Sequence, residues 1–133
     1  MRIGQIAERS GVPSKTIRYY ESIGLIPKAE RTASDYRDYD EQALQRLRFV
    51  QRSRSLGFSV REVGNLLALY DDKQRASAEV KALAREHVAR IDAKIAELRA
   101  MRRTLGELVD KCHGDERPDC PILDDLAEGS PHC

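Results

Sequence analysis

The stretch from Ser77 to Cys120 constrains this chain most. Small or apolar residues recur at Ala84, Val88, Ile91, Ile95, Leu98, Leu105 and Val109, and Arg102 alone breaks the row. Gaps that alternate between four and three are the 3.5-residue period of a two-helix seam. No Gly falls between Ala78 and Leu105, and no Pro between Ser77 and Arg117, so nothing forces the helix to stop. About 33 residues at ~1.5 Å rise make a rod of roughly 50 Å. A chain of 133 residues cannot bury a stripe that long against itself. The expected solution is a second copy, parallel or antiparallel, and hence a homodimer. The seam position after Val109 is Cys112, and Cys120 follows eight residues later.

Ahead of the rod the chain has room for one small domain. Aromatic residues are only 5% and Trp is absent, which excludes a large aromatic core. The net charge of +1 hides an asymmetry. Residues 1–60 hold 11 Lys and Arg against 7 Asp and Glu, whereas residues 61–133 hold 12 against 15. A basic first half suits an anionic partner such as DNA. No apolar run approaches the ~18 residues of a membrane span, and the N-terminus has no signal-peptide core, so a cytoplasmic protein with no membrane partner is expected. In that compartment three cysteines read as free thiols or metal ligands rather than disulfides.

The first half reads as short helices joined by tight turns. Ile3 to Ser10 forms a helix that Gly11 stops. Val12-Pro13-Ser14 turns, with Ser14 as N-cap of a second helix from Lys15 to Ile23, which Gly24 ends in a left-handed conformation. Helix, Gly-containing turn, helix is the helix-turn-helix pattern, whose second helix enters the major groove. Lys15, Thr16, Arg18, Tyr19 and Tyr20 lie on that second helix, and Lys15, Arg18 and Tyr19 supply donors for bases and phosphates. The competing reading is a pair of small core helices with a solvated basic face. Residues 28–39 then read as a hairpin, or wing, in which Arg31, Tyr36 and Arg37 face phosphates. Asp40 caps a third helix, Glu41 to Leu56, with Leu44, Leu47, Val50 and Gln51 on one side. Ser59-Val60-Arg61-Glu62 is a capping box for a fourth helix reaching about Tyr70, whose Leu66, Leu67 and Leu69 can pack on the third. Residues 71–76 are a polar hinge, and Ser77 is the expected N-cap of the long helix.

Between Cys112 and Cys120, Gly114 and Pro118 make the chain turn. Two thiolates suit a soft ion of low coordination number such as Cu(I). Zinc wants four ligands, which His113 and the loop carboxylates could complete. A redox pair and two plain thiols are the other readings of the same spacing. His132 and Cys133 follow Gly129-Ser130-Pro131, where a disordered tail is expected. His87, expected at the edge of the seam, His113 and His132 are scattered, and no nucleophile–base set stands out, so the chain is not expected to be an enzyme.

Arg2-Ile3-Gly4-Gln5-Ile6-Ala7, Thr16-Ile17-Arg18-Tyr19-Tyr20-Glu21, Gly24-Leu25-Ile26 and Tyr36-Arg37-Asp38-Tyr39 together resemble the MerR family of metal-responsive transcriptional regulators. The Cys112 to Cys120 spacing followed by Pro121-Ile122 is similar to the copper-efflux branch of that family. The resemblance implies a mainly α chain. Residues 1–70 form a winged helix-turn-helix DNA-binding domain, 71–76 a hinge, 77–111 a dimerisation helix in an antiparallel coiled coil, and 112–133 a metal-binding loop and tail. It implies a homodimer on a pseudo-palindromic operator in double-stranded promoter DNA. The metal-bound dimer distorts the spacer so that RNA polymerase opens the promoter. Carried over, Cys112 and Cys120 are the ligands of Cu(I), with Ag(I) and Au(I) as ions of the same charge and softness. Ser77 occupies the position where divalent-metal members place a third cysteine. Two thiolates around one monovalent ion carry a net −1, which a helix N-terminus and Lys81 could offset. A divalent-metal sensor of zinc or mercury type and a thiol redox regulator are the alternatives.

Overall fold

A computed structural model of the chain describes residues 1–129; His132 and Cys133 lie outside the described residues. The order is α1 (Ile3–Ser10), α2 (Ser14–Ser22), β1 (Glu30–Arg31), β2 (Arg37–Asp38), α3 (Glu41–Ser55), α4 (Val60–Asp71), α5 (Ser77–Lys111) and α6 (Pro121–Glu128). Packing divides it into two compact units, Met1–Val80 and Lys81 onward.

The first unit is built from four helices and one short hairpin. The Gln5 side-chain oxygen accepts from the Arg2 N–H at 3.1 Å and closes the start of α1. Gly11, at φ 76°, ends α1 by donating to the Ala7 carbonyl, a left-handed cap that costs glycine nothing. Pro13, not Ser14, is the N-cap of α2, and it caps without a side-chain bond. Ser14 becomes the first helical residue because the fixed φ of Pro13 already directs the chain into the helix. Asp40 accepts from the Ala43 N–H at 2.8 Å and opens α3. Ser59 and Glu62 exchange bonds of 3.1 and 2.9 Å in the expected capping box of α4.

Helical spacing places Ile6, Ile17, Leu44, Leu47, Val50 and Val63 fully inside, with Val12, Tyr20, Leu25, Ile26, Tyr39 and Leu67 completing the core. Fully burying a side chain of this size stabilises by ~1.5–3 kcal/mol relative to exposure, so this cluster dominates the unit. Gln51, expected on the inner side of α3, is exposed; its neighbour on the buried face is Ser53. On α4 the inward pair is Val63 and Leu67, four residues apart, while Leu66 and Leu69 are half-buried. Arg46 on α3 holds Asp71 at the end of α4 through two bonds of 2.8 and 3.0 Å. Phe49 and Tyr70 pack beside that pair with ring centroids 5.2 Å apart.

In the second unit α5 continues as a single helix of 35 residues in all, counted from Ser77. Val88, Ile91, Ile95, Leu98, Met101, Leu105 and Val109 are all exposed along it. His87 differs from expectation: it is the buried side chain of α5 among the described residues, and Arg90 Nη2 lies 3.4 Å from its Nδ1. The stretch expected to be only loop and tail contains α6. Pro121 opens it at N1 and Gly129, at φ 57°, closes it.

Candidate nucleic-acid interface and thiol loop

Periodicity decides what α2 offers to a partner. Ile17, Tyr20 and Glu21 turn inward, leaving Lys15, Arg18 and Tyr19 on the outer face. Tyr20 was expected at the interface; at 6% exposure its ring belongs to the core, and its place on the helix wheel beside Ile17 is the reason. Thr16 is half-buried and Tyr19 is half exposed.

The hairpin pairs Glu30 with Asp38 and Arg31 with Arg37. Its tip closes through Thr32 N–H to the Tyr36 carbonyl at 2.7 Å and Asp35 N–H to the Thr32 carbonyl at 2.9 Å. Asp35 sits at φ 65°, a left-handed conformation that a short polar side chain tolerates. Its carboxylate takes Arg31 Nη1 at 3.2 Å. Such an exposed pair contributes ~0–1 kcal/mol.

An open cleft of about 780 Å³ gathers Arg2, Gln5, Glu8, Arg18, Arg31, Asp35, Tyr36 and Arg37. Four of the expected interface residues, Arg18, Arg31, Tyr36 and Arg37, thus meet in one place. Lys15, Thr16 and Tyr19 stand on α2 outside its lining. Arg2 joins Arg18, Arg31, Tyr36 and Arg37 in the cleft lining although no motif spacing singles it out. Its guanidinium carbon lies 4.2 Å from the centre of the Tyr36 ring, a cation–π contact that holds both side chains at the cleft. A lone basic residue at the chain start carries no spacing signal, so only the fold brings it there.

Behind the cleft sits Glu21, 5% exposed. Tyr39 Oη donates to its Oε1. Its Oε2 accepts from the Ala29 N–H at 3.0 Å and lies 4.0 Å from Arg37 Nε. Burial pushes the Tyr39 hydroxyl well above its ordinary pKa, and the Glu21 hydrogen bond adds to the rise; Arg37 and Arg18 pull the other way. Asp71 moves downward, held below the usual carboxylate range by the hydrogen bonds from Arg46.

The thiols lie at two helix ends. The Cys112 N–H donates to the Leu108 and Val109 carbonyls, both at 3.1 Å, so Cys112 prolongs the backbone ladder of α5. Cys120 is the N-cap of α6, and its carbonyl accepts from the Asp124 N–H at 3.0 Å. Between them Gly114 turns at φ 64°, and Arg117 clamps Asp115 with contacts of 2.7 Å. Both cysteines are free and half-buried. Among the described residues no group of three or more His, Cys, Asp or Glu side chains is placed to hold a metal ion. His113, expected as a further donor for zinc, is exposed and belongs to no such group. The loop thus carries two thiols, one at the end of α5 and one at the start of α6. Ser77 begins α5, and Lys81 stands one turn later on the same helix. Lys81 and Lys111 are separated by most of that helix, roughly 45 Å at ~1.5 Å per residue.

The likenesses to other proteins agree with this layout. A family model described as MerR HTH family regulatory protein matches residues 1–69, and one described as MerR, DNA binding, matches residues 44–108. The HTH-type transcriptional regulator HmrR of Rhizobium leguminosarum bv. viciae is 58% identical over 98% of this chain and 100% of its own length. The HTH-type transcriptional regulator CueR of Salmonella typhimurium is 40% identical over 96% of this chain and 92% of its own. Among solved structures, PbrR691 of Ralstonia metallidurans in complex with lead(II) superposes with a TM-score of 0.81 at 38% identity, covering 95% of this chain and 98% of that one. A helix-turn-helix with a hairpin beside it that carries Arg31 and Arg37, a long helix with an exposed apolar row, and relatives that match along nearly the whole chain leave one assignment: the chain belongs to the MerR family of helix-turn-helix transcriptional regulators, a class that is not enzymatic.

Proposed function

We propose that this chain is a metal-responsive transcriptional activator. It binds promoter DNA as a homodimer and turns on copper-efflux genes in the cytoplasm when Cu(I) is held by Cys112 and Cys120. The observation that carries the proposal is the thiol loop: two half-buried free thiols, one at the end of α5 and one at the N-cap of α6. Ag(I) and Au(I) share the charge and softness of Cu(I) and suit the same two sulfurs. Lys81 stands far along α5 from the loop of its own chain, so it reaches a thiol loop only from a second copy. There Lys81 and the start of α5 would offset the net −1 of two thiolates and a monovalent ion.

Arg18 and Tyr19 with Lys15 and Thr16 enter the major groove in this reading, while Arg2, Arg31, Tyr36 and Arg37 grip the backbone. The ion-bound dimer distorts the promoter so that RNA polymerase opens it. Similarity to a regulator solved with lead(II) supports a second reading, a divalent-metal sensor. One experiment separates the two: competition-buffered binding of Cu(I), Ag(I), Zn(II) and Pb(II), under reducing conditions, to the wild type and to Ser77→Cys. The monovalent reading expects selectivity for Cu(I) and Ag(I) in the wild type and a gain for the divalent ions in the variant. A wild type that binds Zn(II) or Pb(II) as tightly as Cu(I) refutes it.

A further inference from the structure

Glu21 is a buried carboxylate on the recognition helix that the proposed operator contacts do not use. It has the same charge as DNA, so it does not itself bind a phosphate. Its surroundings are nevertheless directed at the interface. Tyr39 Oη and the Ala29 N–H hold its two oxygens, and both partners flank the hairpin. With both oxygens fixed, Oε2 faces Arg37 Nε at 4.0 Å. Arg37 is about one-third exposed, whereas the Glu21 side chain is 4% exposed, so the pair runs from the interior to the rim of the cleft. An Arg drawn inward at its Nε edge keeps its two Nη groups for an outside acceptor.

We propose that Glu21 is a positioning residue for operator binding, acting through Arg37: it anchors the Nε side of the guanidinium so that the Nη side meets a backbone phosphate. The inference rests on the reading of Arg37 as a phosphate contact. It makes a prediction whose sign is informative. A carboxylate near DNA repels phosphates, so if Glu21 were only a buried negative charge, Glu21→Gln would tighten binding. If it positions Arg37, the same change weakens binding although it makes the protein more positive.

The test measures operator affinity across a salt series for wild type, Glu21→Gln, Arg37→Ala and the double variant. Loss of one phosphate contact lowers the salt slope by about one. The expected result is a loss of about 3- to 10-fold for Glu21→Gln, the scale of one ordered hydrogen-bonded contact, with a reduced slope. In the Arg37→Ala background Glu21→Gln is expected to add nothing. Tyr39→Phe, which keeps the carboxylate but removes its anchor, is expected to repeat the pattern and serves if Glu21→Gln does not fold. Tighter or unchanged binding by Glu21→Gln overturns the proposal. So does an equal loss in both backgrounds with an unchanged slope, which marks a structural role only. If Arg37→Ala alone changes neither affinity nor slope, the phosphate reading of Arg37 has failed, and the proposal fails with it for that separately visible reason.

Discussion

Replacing Leu98 tests the proposed dimer most directly. The side chain is 52% exposed on the single chain, and Ile95 next to it on the seam is 40% exposed. Full burial of a Leu is worth ~1.5–3 kcal/mol, so covering the open half of Leu98 contributes about 1 kcal/mol per copy. A symmetric dimer contains the position twice. With the cavity left behind, Leu98→Ala is expected to cost ~2–4 kcal/mol of dimer stability. That raises the dissociation constant by about 30- to 700-fold. Leu98→Asp adds an unpaired carboxylate to each copy, a further cost of several kcal/mol, and is expected to leave no dimer at micromolar concentration. Lys94 pairs with Glu97 at 3.4 Å on the exposed surface, a contact worth ~0–1 kcal/mol, so Lys94→Ala is the control. Sedimentation equilibrium reads the mass, and circular dichroism reads whether α5 stays helical. A Leu98→Asp protein that remains a dimer, or a Leu98→Ala constant no worse than that of Lys94→Ala, refutes the seam.

Arg18→Ala is expected to weaken operator binding by ~1–3 kcal/mol if it reads a base, and Lys15→Ala to lower the salt slope by about one, both measurable by fluorescence anisotropy. Cys112→Ser and Cys120→Ser are each expected to abolish metal-induced transcription while operator affinity is kept. Cys133→Ser is expected to be silent, and an inactive Cys133→Ser beside an active Cys112→Ser would relocate the site. The Arg46–Asp71 pair makes stability fall in acid. The folded-state pKa of Asp71 lies below its unfolded value, so the stabilisation is present above the ordinary Asp pKa of 3.8 and is lost as pH falls through the lower folded value. Arg46→Leu is expected to return the Asp71 titration, followed by NMR, to near 3.8, and an unmoved titration would remove Arg46 as the cause.

The local elements follow from the sequence alone because each rests on contacts within a few residues. Gly11 and Gly24, the Asp40 cap and the Ser59–Glu62 box mark helix ends through bonds to near neighbours. The row from Val88 to Val109 declares a long helix with one apolar face because period is a property of the chain. The same local reading misplaced the cap of α2, where the fixed φ of Pro13 outranked the hydroxyl of Ser14. Helix α6 is bracketed in the sequence by Pro121 and Gly129, a local signal that sits beside the loop between the two cysteines. What only the tertiary structure decided is which polar groups share a space. Tyr20 looks like its neighbour Tyr19, but one more step of about 100° around the helix turns it into the core. Arg2 joins Tyr36 across the whole helix-turn-helix, and Glu21 meets Tyr39 and Arg37 from a different element. No spacing rule connects residues that far apart in the chain. Their meeting depends on how α1, α2 and the hairpin close over one apolar core, and burial then fixes which charges must find partners.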